Sequence, residues 1–368
     1  MRTRSDTIRA ALLLPLVALL FTSCASATTQ GGAATPECTF VNPIARGADP
    51  WVVRRDTSYY YVQSTGGGIT VYRSPTLTGI RQHGVRVWSP PATGWNHSNI
   101  WAPELHWFDG KWYIYYAGGR AEGGPFVHQR AGVLESVTSD AQGAYVDRGM
   151  LYTGNDSASG SEAIWAIDLT VARINGTLYA VWSGWTDNAP APGPLPDRKA
   201  QQTYIARMSN PYTIAGGRVM IAAPTASWER GTELDLQEGP EFLQHAGQTF
   251  VIYSTRESWL PEYKLGQLRL TPATADPLLP ASWVKSGPVF VGAPALGVFG
   301  VGHASFTTSP DSAESWIVYH SKSKSAPGWD DRMIHMQKFG WTPDGSPDFG
   351  APVPKGQPVP VPSGQCKS

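Results

Sequence analysis

The chain is poor in charge. Asp, Glu, Lys and Arg make up 16% of its 368 residues, against about 25% in an average domain. The charge that exists cancels, with 29 basic and 29 acidic side chains. No field of one sign therefore favours nucleic acid or an anionic membrane as a partner. Long stretches of 3.6-residue apolar periodicity are missing, so little helix is expected. A His-x-x-x-His pair, a Gly-x-Ser-x-Gly elbow, a Walker loop and a cysteine cluster are all absent. Their absence argues against zinc hydrolysis, serine-esterase chemistry and nucleotide use. The apolar run Ala10–Phe21 is too short to span a bilayer.

What is abundant is aromatic and turn-forming. Trp, Tyr and Phe reach 11%, with 39 glycines and 31 prolines, as an all-β fold with many turns requires. Asn99–Gly118 reads as a β-hairpin: an apolar run Leu105–Phe108, an Asp109-Gly110 turn and an aromatic strand Trp112–Tyr116. The phrase recurs from Asp49, Asp168, Glu238 and His303. From Asp49 to Tyr60, Ala102 to Tyr113 and Asp168 to Tyr179 the offset is eleven residues. It is twelve from Glu238 to Phe250 and thirteen from His303 to Trp316.

The period of 53 to 70 residues is about the length of a four-stranded sheet with its turns. Five copies predict a five-bladed β-propeller forming a single domain over residues 38–368. The strand nearest the axis in each blade begins at one end of the central channel. Asp49, Ala102, Asp168, Glu238 and His303 should therefore converge there. Three carboxylates and a histidine at matching positions are hard to explain as packing, because buried charge is costly unless used or paired.

Met1–Ala27 reads as an export signal, with Arg2, Arg4 and Arg9 ahead of the apolar run and Ala25-Ser26-Ala27 as a small-residue cleavage site. Phe21-Thr22-Ser23-Cys24 also fits a lipobox with Cys24 as the lipidated residue, so anchoring and plain secretion both stay open. Either way the mature protein is extracellular, following a flexible tether at residues 28–37. Export permits disulfides. Cys38 lies just before the first blade and Cys366 just after the last, and the two ends of a closed propeller meet, so these two are expected to pair. The Pro-rich tail Ala351–Gly364 should run along the base between them.

Other residues are weaker candidates. Glu104 sits two residues past a converging position, His97 reads as a satisfied loop histidine, and Glu241 points to the opposite side of its strand from Glu238. Trp259-Leu-Pro-Glu-Tyr263 offers aromatics that either stack on a sugar or pack in the core. Two or three carboxylates around a polar channel in an exported, aromatic-rich protein suggest glycoside hydrolysis, which needs a proton donor for the leaving oxygen and a base or nucleophile across the sugar. A third acid nearby raises the donor's pKa by like-charge repulsion. A non-catalytic carbohydrate-binding propeller or a calcium-stabilised channel would use the same residue types.

The phrases Ala48-Asp-Pro-Trp51, Ile100-Trp-Ala-Pro-Glu104, Ala166-Ile-Asp-Leu169, Gln237-Glu-Gly-Pro240 and Gly302-His-Ala-Ser-Phe306 together resemble the signature set of glycoside hydrolase family 43. Arg332, Gln337-Lys-Phe339 and Asp344–Gly350 extend the likeness over residues 40–355. The resemblance implies an inverting enzyme acting on arabinose- or xylose-containing plant polysaccharide, with no cofactor needed for the chemistry and a monomeric chain. By position it implies Asp49 as general base, Glu238 as general acid and Asp168 as the residue that tunes and orients Glu238. It also implies sugar contacts from Arg332, with Trp51, Trp101 and Trp165 as further substrate-binding candidates, and a structural Ca2+ near His303. Ala304 replaces the usual Asn beside that histidine, which weakens the metal inference. The wording around Trp165–Thr170, Trp182–Trp185 and Trp259–Gln267 is most similar to α-L-arabinofuranosidases of the exo-acting kind, with β-xylosidase and endo-arabinanase as alternatives.

Overall fold

The structure is a computed structural model that describes residues 38–156, 162–189, 191 and 199–366. The export signal, the tether and Cys24 lie outside these residues. Turn chemistry sets the local architecture. Asp109 and Gly110 have φ of 49° and 88°, and Asn175 and Gly176 have 48° and 82°. A two-residue type I′ turn demands this left-handed pair. These turns join Ser98–Phe108 to Lys111–Gly119 and Ala166–Ile174 to Thr177–Gly184.

Each such hairpin is the inner half of an antiparallel sheet, and there are five. The innermost strands are Trp51–Arg55, Ser98–Phe108, Ala166–Ile174, Gln237–His245 and Phe299–Thr308. Each pairs outward in order with the strands that follow it. The innermost strands touch in sequence and the fifth touches the first, which closes the ring. This is the expected five-bladed propeller, and its only helical pieces among the described residues are four short 3-10 turns. The core is not central. It consists of five apolar clusters, one at each interface between neighbouring blades. Trp112, Trp182 and Trp316 are each almost wholly buried in one of them, so the side chains pointing to the axis are free to be polar.

The ring closes in a way that the repeat pattern did not reveal. The outermost strand of blade five is Ala45–Arg46, from the start of the domain, which pairs antiparallel with Ile334 and Met333. Two residues are too few to carry a periodicity. Beyond this clasp Thr39–Val41 pairs with Pro358–Pro360, and Cys38 and Cys366 are joined as a disulfide across 6.2 Å between Cα atoms.

One position of the repeat shifts by a residue. Asp49, Ala102, Asp168 and His303 have φ of 49°, 40°, 55° and 45°, a left-handed conformation that non-glycine residues rarely adopt. In blade four the matching residue is Gly239, with φ of 51°, and not Glu238. Counted from Gly239, the offset to Phe250 is eleven, as in blades one to three. The ladders agree: register breaks fall between Trp101 and Glu104, Ile167 and Thr170, Glu238 and Glu241, and Gly302 and Ser305. Each break is a bulge that re-aims the start of the inner strand. Gly239 is required twice over, because a Cβ there would also meet the His303 ring at 3.0 Å.

Candidate active site

All five converging residues, four of them carried on the bulges of blades two to five, surround one cavity of about 410 Å³, lined by Asp49, Ala102, Asp168, Glu238 and His303 together with five aromatic side chains. A volume of this order suits a small ligand. Backbone strain of roughly 1–3 kcal/mol per left-handed residue tends to collect at functional sites, and five such residues, Asn99 among them, line this cavity.

The carboxyl groups sit in opposite environments. Burial alone would raise the Asp49 carboxyl, but Arg332, His303 and His320 outweigh it and hold Asp49 well below the usual carboxylate range. Arg332 donates to Asp49 Oδ1 at 3.2 Å. His303 Nδ1 and His320 Nδ1 lie 3.2 and 3.3 Å from the same oxygen. His320 Nδ1 is also 3.2 Å from the Asp49 backbone N–H, so whichever tautomer it adopts, the ring holds Asp49 in place.

Across the cavity Glu238 is pushed up to about 7, first by burial and then by the charge of Asp168. Tyr263 donates its hydroxyl to Glu238 Oε1 at 2.9 Å, which limits the rise. Asp168 is also raised, to about 7, by burial and by the charge of Asp49. The Gly239 N–H donates to Asp168 Oδ2 at 2.9 Å and favours its charged form. Asp168 and Glu238 therefore titrate as a pair. Between them and Asp49 the pocket offers both a held proton and a ready acceptor at neutral pH.

The pattern of glycosyl hydrolases family 43 matches residues 40–347. The chain belongs to this family. It is a glycoside hydrolase, and its relatives share most of its length. An extracellular exo-α-(1→5)-L-arabinofuranosidase of Streptomyces avermitilis is 34% identical, covering 97% of this chain and 72% of that protein. An α-L-arabinofuranosidase 43 of Humicola insolens is also 34% identical, covering 96% and 70%. The crystal structure of α-L-arabinofuranosidase from Lactobacillus brevis superposes with a TM-score of 0.75 at 31% identity, covering 86% of this chain and 98% of that one.

Within this family-43 site the other sequence candidates separate. Trp101, Trp165 and Arg332 line the pocket. Trp51 does not: its indole donates to the Leu105 carbonyl at 2.7 Å and its ring lies 4.4 Å from that of His106, so it belongs to the packing between blades one and two. His97 is satisfied by the Gly94 carbonyl at 2.8 Å. His303 stands beside Asp49, its backbone N–H donating to Ser254 Oγ at 2.7 Å. Calcium wants six to eight oxygen ligands, and among the described residues no group of three or more His, Cys, Asp or Glu side chains is arranged to hold a metal. The residues around His303 do not fit a protein-built calcium cage.

Two features escaped the sequence reading. His320 and Tyr263, which hold Asp49 and Glu238, were not singled out for those contacts; a histidine directly after the apolar run Trp316–Tyr319, within the strand Ser315–Lys322, was the available signal. Next to the site, Glu104 and Glu241 are buried together. Thr170 donates to Glu241 Oε2 at 3.2 Å, and His106 Nε2 lies 2.9 Å from Glu104 Oε2. Burial raises both carboxyls well above the usual range and, with them, lowers His106 to about 3. Glu104 is thus a supporting group within the wall and not a lining residue.

Proposed function

We propose that the chain is an exo-acting α-L-arabinofuranosidase that removes arabinose from arabinan or arabinoxylan with inversion. The observation that carries this reading is the contrast in proton affinity between Asp49 and Glu238, set in a family-43 chain whose relatives of similar length carry the arabinofuranosidase name. Glu238 acts as general acid: its proton passes to the glycosidic oxygen as the bond from that oxygen to C1 breaks. Asp49 acts as general base: it takes a proton from a water whose oxygen bonds to C1 from the opposite face. The carboxyls then exchange protons with solvent to reset. Within the Asp168–Glu238 pair the Gly239 N–H favours the anion on Asp168, so the proton sits on Glu238 until the leaving oxygen needs it. Arg332 fixes Asp49 and reaches the bound sugar, and Trp101 and Trp165 supply faces for it.

The enzyme works outside the cell as a monomer, after export directed by residues 1–27 and with residues 28–37 as tether. It meets a membrane only through a lipid on Cys24. Incubation with arabinan, arabinoxylan and xylan tests the reading. Arabinose should be released from the first two and appear first as the β-anomer by proton NMR. Xylose as the main product, or early release of the α-anomer, would overturn it.

A further inference from the structure

Five aromatics, Trp101, Phe126, Trp165, Trp259 and Trp329, line the pocket, and they are spread over blades two to five. Phe126 lies in the blade-two loop between Lys111–Gly119 and Arg130–Ser136, and Trp329 in the blade-five loop between Ser315–Lys322 and Arg332–Trp341. Blade one stands between them in the ring. Yet the two rings meet, with centroids 5.8 Å apart. The chain of contacts continues on both sides. Trp329 packs edge-on against Trp259 of the blade-four side at 5.2 Å, and Phe126 lies 5.3 Å from Trp101.

Both ends of this bridge are anchored by other residues of the pocket wall. The Phe126 carbonyl accepts the Trp165 indole N–H at 2.6 Å. The Trp329 indole donates to Ser258 Oγ at 3.2 Å, and the Gly328 N–H donates to the Trp259 carbonyl at 2.9 Å. The loop carrying Trp329 is folded around a lysine with no exposed surface. Lys322 Nζ donates to Asp331 Oδ1 at 2.6 Å and also to the Gly328 carbonyl, while Asp331 Oδ2 accepts the Lys324 N–H at 2.8 Å. A fully buried ammonium is costly unless paired and hydrogen-bonded. Its two loop partners are therefore strongly constrained. They flank Trp329 at positions 328 and 331.

We propose that the Phe126–Trp329 contact is the barrier that limits this site to one terminal sugar, and that Lys322 is the positioning residue that holds it closed. The proposal rests on the exo-arabinofuranosidase reading and says which side chains impose it. The wall at Gln201, Leu234 and Leu236 adjoins Glu238, where the leaving portion of the chain must pass. Phe126 and Trp329 both line the pocket and join the blade-two loop to the blade-five loop. A linear polymer leaving the site between those two loops would have to pass Phe126 and Trp329, where rings in contact leave no passage.

The test uses linear α-1,5-linked arabinan and the full chain, with products followed by chromatography from the earliest times. The parent enzyme should release arabinose alone. Trp329→Ala and Phe126→Ala, made separately, should add arabinobiose and longer oligosaccharides to the early products, with a faster fall in viscosity per bond cleaved. Trp329→Phe should restore release of arabinose alone. Asp331→Asn should show the Trp329→Ala pattern in weaker form if Lys322 positions the barrier. Arabinose as sole product of both alanine variants would overturn the inference while leaving the exo reading intact. Loss of all turnover in both would overturn it too, because a barrier is dispensable to the chemistry. Oligosaccharides from the parent enzyme, or no arabinose from any arabinan, would remove the reading beneath it.

Discussion

The two sides of the pocket use the same functional group for opposite purposes. On the blade-one side, a carboxyl whose side chain is 24% exposed faces a guanidinium and two imidazoles. On the blade-three and blade-four side, two carboxyls exposed by 4% and 9% face chiefly each other, an amide and a phenol. Asp49 is kept anionic and Glu238 is kept protonated. Nothing in the identity of Asp or Glu decides this: the neighbours do, by supplying a guanidinium and two imidazole nitrogens in one place and by withholding water and adding a like charge in the other.

The largest expected effects come from removing one side of this contrast at a time. Asp49→Asn and Glu238→Gln should each lower kcat on arabinan by about 10²–10⁴-fold. An aryl arabinofuranoside with a low-pKa leaving group should separate them. Glu238→Gln should recover much of its rate there, since little proton donation is needed. Asp49→Asn should not, since water must still be activated. Recovery by Asp49→Asn alone would mean that the two sides have exchanged roles.

Asp168→Asn should cost less and act through Glu238. Loss of the negative charge lowers the Glu238 pKa, so the basic limb of the kcat–pH profile should move down from near 7, where burial and Asp168 now hold it. A basic limb that stays in place would leave Glu238 to burial alone.

Arg332→Gln should erode the contrast from the other side. With one cation gone, Asp49 is released upward, and the acidic limb of kcat/KM should rise by about one pH unit or more. An unmoved acidic limb, with only KM raised, would make Arg332 a sugar-binding group and leave Asp49 to the two histidines. The smallest effect on catalysis should come from Cys366→Ser. Its kcat should stay near that of the parent while thermal unfolding moves to lower temperature. In the chain-entropy model the loss is at most about 5–6 kcal/mol for so long a loop. A fall in kcat together with a steady melting temperature would tie the pocket to the clasp more closely than the geometry suggests.

How far the sequence spoke of all this depended on whether a feature repeats. Asp109-Gly110 and Asn175-Gly176 were legible because a type I′ turn accepts few other residues, and the period followed from them. The carboxylates were legible because the period placed them at one level. The one-residue misplacement in blade four came from starting that copy at the carboxylate Glu238, where the repeat position is held by its neighbour Gly239. The offset of twelve there was its trace. Single contacts did not repeat and so stayed hidden: Tyr263 with Glu238, His320 with Asp49, and Glu104 with Glu241. Trp51 was misplaced because alternation alone would keep it on the side of Asp49 two residues earlier, whereas the left-handed backbone at Asp49, with φ of 49°, breaks that alternation and the indole packs beside His106.

The clasp formed by Ala45–Arg46 also governs when the enzyme becomes an enzyme. Asp49 lies three residues past a strand segment whose partners are Ile334 and Met333, and its charge depends on His303, His320 and Arg332. Asp49 and the groups that hold its charge are thus delivered by opposite ends of the polypeptide, nearly 300 positions apart. Until the last blade has been synthesised and has met the first, Asp49 is an ordinary solvated carboxylate with no cationic neighbours. Completion of the ring and arming of the pocket are one event, so a chain still in transit cannot cut a glycan. Turnover by this enzyme is itself a report that its chain has closed.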